Sequence, residues 1–554
     1  MTRNKSFFIS KKFLVIAALA FVAIISGIIF WNRFKYKFVH KKIDTLVTGK
    51  SGGLYQLTYQ DLRIDEAAGN ISAENLVLSP DSSVYQAMKA DSSAPGNLFY
   101  IEIPQLHITG VRTPRALLQK EIKAGKILVS GATVEIMLGK KKKKEGPDLT
   151  EVMNPGMYRQ LLGKLNSIEA DSIVFENTRL KLADLDSKKI LYNFEGLSIR
   201  FASLQVDSST ANDSSRILFS KNLALSCKRF ELPLKNKFYN IVVHDFDFNY
   251  MAATIRANHV KLTPTLSETE FAKAHKYAVD RINLDIGSLE LKNIDRAAVM
   301  QLQIVAETLL INNASLHDFR DKSVPHDSVD RTDRYPQQSI ANMSIPIQIG
   351  KTIISDSYIE YKEKNEKSDS SGRVSFYHVN ATLDNITNMP HYLKKNDQLK
   401  LVFQASFLDQ APFHAEIQTR ISKTEGNFRL QASLGAMHGV MLNPLVQPMA
   451  LAKVDEGEIR GLHYRMSATN TRATGKLTFL YDGLNVKLLK KDEQKNKYKT
   501  KVLPTLAAGI AIKKSNPQNG QTRTVDVDYK RDIYRSIFNL MWKSLFSGVK
   551  KTVI

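Results

Sequence analysis

The chain holds a single cysteine, Cys227, among 554 residues. An intramolecular disulfide and a cysteine-based zinc site are therefore excluded, and stability must come from packing and backbone hydrogen bonds. A buried, inert thiol is the expected state of Cys227. Carboxylates are scarce beside cations: 55 Asp and Glu stand against 78 Lys and Arg, a formal charge of +23. That balance points toward an anionic membrane surface or an acidic glycolipid. Nucleic acid is not expected as a partner, because the basic runs are not interleaved with stacking aromatics.

Chemistry-bearing motifs are missing as well. The sequence has no HExxH, GxSxG or GxGxxG. Gly49-Lys50-Ser51 imitates the end of a phosphate-binding loop, but Asp44 occupies the place of its first glycine. His244-Asp245 sits inside an alternating run and reads as one pair on a sheet surface. Asp526 and Asp528 share a strand face without a third ligand nearby, which reads as a solvated edge. No enzymatic activity, metal or cofactor is expected.

What is present begins with Phe13–Trp31, FLVIAALAFVAIISGIIFW, which carries no charge. At about 1.5 Å per residue it reaches roughly across a bilayer core of ~30 Å. Arg3, Lys5, Lys11 and Lys12 precede it, Arg33, Lys35 and Lys37 follow it, and Trp31 and Tyr36 occupy interfacial positions. The run exceeds a signal-peptide core, so a retained anchor with a cytoplasmic tail over 1–12 is expected.

Beyond the anchor a two-residue period dominates. Tyr55, Leu57 and Tyr59 share a parity, as do Phe246 and Phe248, Leu284 and Ile286, then Leu477, Phe479 and Tyr481, and Leu484, Val486 and Leu488. Such alternation places apolar side chains on one sheet face. Turn signals such as Gly69-Asn70 separate the runs, so the expected fold is mainly β, an elongated antiparallel curved sheet with few short helices.

A faint repeat, GATVEI (131–136), NTRLKL (177–182), NASLHD (313–318) and DSYIEY (356–361), reads as strand, tight turn, next strand. Helical spacing marks 114–124, 154–165 and 531–549. The last stretch reads either as an amphipathic helix capping the sheet or as one lying in a membrane interface. The polar segment 318–345 reads as a linker or long loop between a β region over 32–317 and another over 346–490. A charged loop, a strand and the C-terminal helix complete 491–554. The run Lys140–Lys144 reads as a solvated gatekeeper loop or as a contact for anionic head groups.

Together these patterns resemble the AsmA-like superfamily of Gram-negative envelope proteins, which includes TamB- and YhdP-type proteins and is distantly related to bridge-like lipid transfer proteins. The resemblance is carried by GLYQLTYQDLRIDEAAGNISAENLVLSP (53–80), IISDSYIEY (353–361) and LNPLVQPMALAKVDEGEIRGLHYRMSATNTRATGKLTFLYDGLNVKLL (442–489). It implies a periplasmic, taco-shaped β-groove hung from the inner membrane through residues 13–31. Phospholipid or another apolar ligand would occupy the groove, with an outer-membrane or envelope protein as a further partner. Tyr55, Leu57, Tyr59, Leu477, Phe479, Tyr481, Leu484, Val486 and Leu488 are the expected lining, and Lys140, Lys141, Lys142, Lys143 and Lys144 the expected head-group contacts. The chain is short for a conduit across a whole periplasm, which favours a shuttle, a helper or one segment of an oligomer. The alternative is a scaffold protein with a closed β core.

Overall fold

A computed structural model describes residues 47–49, 51–112, 120–139, 162, 165–210, 213, 215–234, 237–365, 371–492, 497–500 and 513–554. Strand accounts for 59% and helix for 15%, which places the protein in the mainly β class. The membrane-anchor stretch 13–31, the lysines 140–144 and most of the helical reading 154–165 lie outside the described residues. Among the described residues no helix is long and apolar enough to cross a membrane.

The strands follow in order as β1 (Tyr55–Asp65), β2 (Asn70–Pro80), β3 (Asn97–Thr109), β4 (Glu121–Ser130), β5 (Thr133–Leu138), β6 (Ser167–Asp184), β7 (Ile190–Val206) and β8 (Asn222–Pro233). Next come β9 (Tyr239–Asn249), β10 (Thr254–Pro264), β11 (Arg281–Ile294), β12 (Ile304–Asp321), β13 (Ile347–Lys364), β14 (Ser371–Thr387) and β15 (Gln398–Phe407). The series ends with β16 (Ala411–Arg420), β17 (Phe428–Leu434), β18 (Met437–His438), β19 (Ala452–Ala468), β20 (Arg472–Asp492), β21 (Lys497–Thr500) and β22 (Thr524–Lys530). Short helices join them: α1 (Ser82–Ala90), α2 (Glu268–Ala274), α3 (Arg296–Met300), α4 (Pro336–Ala341), α5 (Pro390–Leu393) and α6 (Asn443–Ala450). The longest helix, α7 (Ile537–Val553), follows β22.

Two compact units divide the chain. The first comprises the residues up to Pro233 with Ile241–Asn258 and Ile294–Leu302; the second comprises Leu234–Asn240, His259–Asn293 and Gln303–Ile554.

In the first unit β1, β2 and β3 pair antiparallel in sequence, and Gly69 takes positive φ in the β1–β2 turn, as Gly69-Asn70 leads one to expect. Both β4 and β5 pair with β3 and, on the other side, run parallel to β6. Antiparallel partners β7 and β8 continue from β6. Ile103, Ile108, Val129 and Ile173 form the centre of its main core, and Cys227 sits in a second cluster with Ile136, Leu180 and Leu182. The helical reading of 114–124 is overturned at its end. Glu121 opens β4, and Ile122 and Ala124 are buried core positions with strand alternation. Helix-like spacing over so short a window is also met by a strand whose charged residues face out.

In the second unit β12 and β13 are parallel, and from β13 onward the sheet runs antiparallel through β14, β15, β16, β17, β19, β20 and β22. A parallel neighbour needs a crossover. The segment between β12 and β13 supplies it, carrying α4 and the fully buried Tyr335. Residues 318–321, read from the sequence as the start of a loop, are the last residues of β12.

The repeat has a different structural meaning from the expected turn. Asn177, Asn313 and Asp356 all have positive φ, 51°, 54° and 43°, yet each lies inside a continuous strand. They are in-line kinks of the β-bulge kind. Gly131, with φ 71°, makes the same kink between β4 and β5. The parallel register explains the recurrence. β4 pairs with β6 at the 46-residue offset that sets Glu121 opposite Ser167, which brings Gly131 beside Asn177. β12 pairs with β13 at the 43-residue offset that sets Ile304 opposite Ile347, which brings Asn313 beside Asp356. The kink passes on to β14, where the register shifts and His378, also at positive φ, meets the Asp356 carboxylate at 3.0 Å.

Candidate functional site

The register of the second unit sets residues opposite one another in rows that cross nine strands. One row runs Leu309, Thr352, Leu383, Leu401, Ile417, Leu430, Met466, Gly475 and Val527. Two positions along the strands, a second row runs Ile311, Ile354, Ala381, Phe403, Ala415, Ala432, Tyr464, Leu477 and Val525. The row between them, on the opposite face, becomes polar towards its end: Val402 is followed by Glu416, Gln431, Arg465, Lys476 and Asp526. Period-two alternation has thus produced one apolar face and one polar face.

Cover on the apolar face is uneven. Over β19, β20 and β22 it is sealed by α7. Gly548 lies against Leu477 and Val527; a Cβ there would come within 2.7 Å of Val527 Cγ2. The Tyr464 hydroxyl donates to Ser544 Oγ at 3.0 Å, and the Tyr481 hydroxyl bonds the Thr552 carbonyl at 3.2 Å. Burial pushes the ionisation of both phenols up, so both stay neutral donors. Leu477, Leu540, Tyr464 and Tyr481 are essentially without solvent contact.

Towards β12 the packing loosens: Leu309, Ile311, Ile354, Leu383, Leu401, Phe403 and Ile417 are half-buried, while the smaller Thr352, Ala381 and Ala415 between them are buried. Phe376, Phe403, Phe407 and Phe413 form an aromatic patch on the same face, with ring centroids 5.2–6.0 Å apart. Small clusters border it at the strand ends: Ala341 of α4 packs with Leu399 and Ile421, and Met449 of α6 packs near Gly372.

A polar patch interrupts this face at the ends of β12 and β13. Asp318 is opposite Tyr361, and the Tyr361 hydroxyl donates to Glu363 at 2.7 Å. Lys322 pairs with Glu363 at 2.6 Å, and Arg320 with Asp280 at 2.9 Å. Burial, with a smaller push from the Asp280 charge and an opposing pull from Arg320, raises the Asp318 carboxyl to about 7. Its Oδ1 is shut off from solvent and, among the described residues, meets no hydrogen-bond donor. Burial also raises the Tyr361 phenol, helped by the neighbouring Glu363. Among the described residues no group of His, Cys, Asp or Glu is arranged to hold a metal ion.

The positions named from the sequence fall into different places. Tyr55, Leu57 and Tyr59 belong to the first unit: Leu57 is buried in its core, Tyr59 packs against that core, and the Tyr55 hydroxyl accepts from the Phe99 amide at 3.2 Å. Leu477, Phe479, Tyr481 and Leu484 lie in the sealed part of the second unit, at most 5% exposed, with Val486 half-buried beside them. Leu57, Leu477, Phe479, Tyr481 and Leu484 thus pack among the protein's own side chains, and Tyr55, Tyr59 and Val486 are half-buried. Leu488 is paired with Ala452 through the backbone, and its side chain lies outside the described residues.

The apolar residues of β15 and β16 on this face are not among the positions named from the sequence. Their signal is there all the same: Leu399, Leu401, Phe403, Ala405 and Phe407, then Ala411, Phe413, Ala415 and Ile417, alternate without a break. Of the charged candidates, Asp528 is paired with Arg472, and Asp526 faces Lys476 in the ladder.

No family model and no curated protein matches this chain. Among solved structures, the crystal structure of the sex pheromone staph-cAM373 precursor aligns over 70% of this chain and 96% of its own, at 9% identity and a TM-score of 0.12. That likeness is too slight to support a shared fold.

Proposed function

We propose that the protein is an inner-membrane-anchored, periplasmic lipid-binding protein that carries apolar guests on a curved β-sheet, in lipid movement between envelope membranes or in envelope homeostasis. One observation carries the reading: an apolar face continuous across nine strands is covered at one end by α7, while from β12 to β16 its larger side chains, among them Leu309, Ile354, Leu401 and Phe403, are only half-buried. Apolar surface left in water is unfavourable at ~25 cal/mol per Å², so side chains of this kind gain from an apolar occupant. An acyl chain fits the need, gaining roughly 0.8 kcal/mol per buried CH₂ without any directional contact. The adjoining kinks at Asn313, Asp356 and His378 support curvature, since bulges bend and twist the strands that carry them. Anchoring rests on Phe13–Trp31, and the resemblance to AsmA-like proteins suggests the compartment. No catalytic role or cofactor is part of the proposal.

A second reading, a scaffold with a filled core, is favoured by the tight seal of α7 over Leu477 and Val527. The two separate by experiment. Full-length protein extracted in mild detergent should carry phospholipid in native mass spectrometry, and a photo-crosslinker at Phe403 should yield a lipid adduct. Lipid-free protein without an adduct at Phe403 would support the scaffold.

A further inference from the structure

The face of α7 turned away from the sheet is a second membrane-contact surface, and we infer that it docks on an anionic bilayer. Helix α7 buries Ile537, Leu540, Ser544, Gly548 and Thr552, a stripe at spacings of three and four residues. Phe538, Trp542 and Phe546 follow at four-residue spacing around the side of the helix away from that stripe, Phe538 in solvent, Phe546 half-buried and Trp542 half-buried with one edge on the core. Phe538 is 69% exposed, and the Trp542 and Phe546 rings stack at 6.1 Å. Tyr534, just before the helix, is also exposed.

The charge on the helix itself is of one sign. Helix α7 contains no Asp or Glu, and Lys543, Lys550 and Lys551 are exposed on it. Lys513, whose amide donates to the Val553 carbonyl, and Lys514 add to its C-terminal end. The nearby carboxylates of Asp528 and Asp532 are already engaged by Arg472 and Arg535. Aromatic rings that sit at head-group depth, with lysines reaching lipid phosphates, are the combination an interfacial helix uses. A soluble protein partner would not require so uniform a charge, whereas an anionic surface rewards each lysine with roughly fivefold in affinity. The inference does not depend on lipid occupying the apolar face of β12 to β16.

The chain has two tryptophans, Trp31 and Trp542, so a Trp31→Phe variant reports on α7 alone. The full-length variant, reconstituted in nanodiscs, is tested in two arms. Brominated phosphatidylcholine is placed either in the disc or in added vesicles containing phosphatidylglycerol. Quenching of Trp542 in either arm is expected, and the arm identifies the membrane. It should fall at least about tenfold in apparent affinity in Lys543→Glu/Lys550→Glu, whose changes lie on exposed positions and leave the buried stripe intact. Absence of quenching in both arms overturns the inference, as does quenching that is indifferent to lipid charge. Protection of Trp542 from acrylamide at raised protein concentration, without quenching, would assign the face to a second copy of the chain instead.

Discussion

Gly548 packs directly on Leu477: a Cβ on the glycine would lie 3.1 Å from the leucine side chain and closer still to Val527. Helix α7 can approach the sheet this closely only because that position carries no side chain. Gly548→Leu is expected to lift the helix and cost about 1–3 kcal/mol, the usual range for overpacking a dense core. Chemical denaturation checks this, and an unchanged midpoint would refute the close approach.

Sealed and open positions on the same face should behave differently toward lipid. A photo-crosslinker at Leu401 is expected to give a lipid adduct in membranes, and one at Leu477 is not, although the two residues follow the same alternation. Equal labelling at both positions would mean that α7 does not hold its place.

The kinks are expected to be intolerant of β-branched residues. Asn313→Val forces a left-handed backbone on a residue that resists it, at a cost of about 1–2 kcal/mol, while Asn313→Gly should be close to neutral. Equal stabilities of the two variants in urea titration would contradict the kinked conformation.

Asp318 has its carboxyl raised to about 7, so the folded protein holds that proton more tightly than the unfolded chain, where an aspartate ionises near 3.8. Between those values the folded state binds more protons, and the group's contribution to stability falls as pH rises. Asp318→Asn removes this dependence. The difference in melting temperature, variant minus parent, is therefore expected to grow from pH 4 to pH 7 and then level off. A difference that shrinks over that window would show the carboxyl to be ionised in the fold.

Cys227 is buried, with its sulfur 3.4 Å from the Glu195 and Arg229 carbonyls, and burial pushes the thiol's ionisation up. Little thiolate should be available at neutral pH. Alkylation by iodoacetamide should be slow in the native protein and rapid in denaturant; rapid native labelling would place the thiol at the surface.

Much of this molecule can be read from its chain order. Alternation in 398–407 and 411–417 prescribes strands with one apolar face, because successive side chains point to opposite sides of a sheet. The recurrence of Gly131, Asn177, Asn313 and Asp356 is equally visible, but its local reading as a turn fails. A left-handed residue serves a hairpin and a bulge alike, and only the neighbouring strand distinguishes them. The parallel pairing of β12 with β13 was out of reach for the same reason: alternation states which way a side chain points, not which strand lies alongside.

The sequence by itself determined that the protein is mainly β, that its strands have a wet side and a dry side, and that no disulfide closes it. Tertiary structure alone decided which part of the dry side is covered. Leu477 and Leu401 obey the same pattern, yet one lies fully buried beneath α7 and the other is only half-buried. That difference comes from contacts between residues far apart in the chain, where a seventeen-residue helix meets only part of a broad sheet.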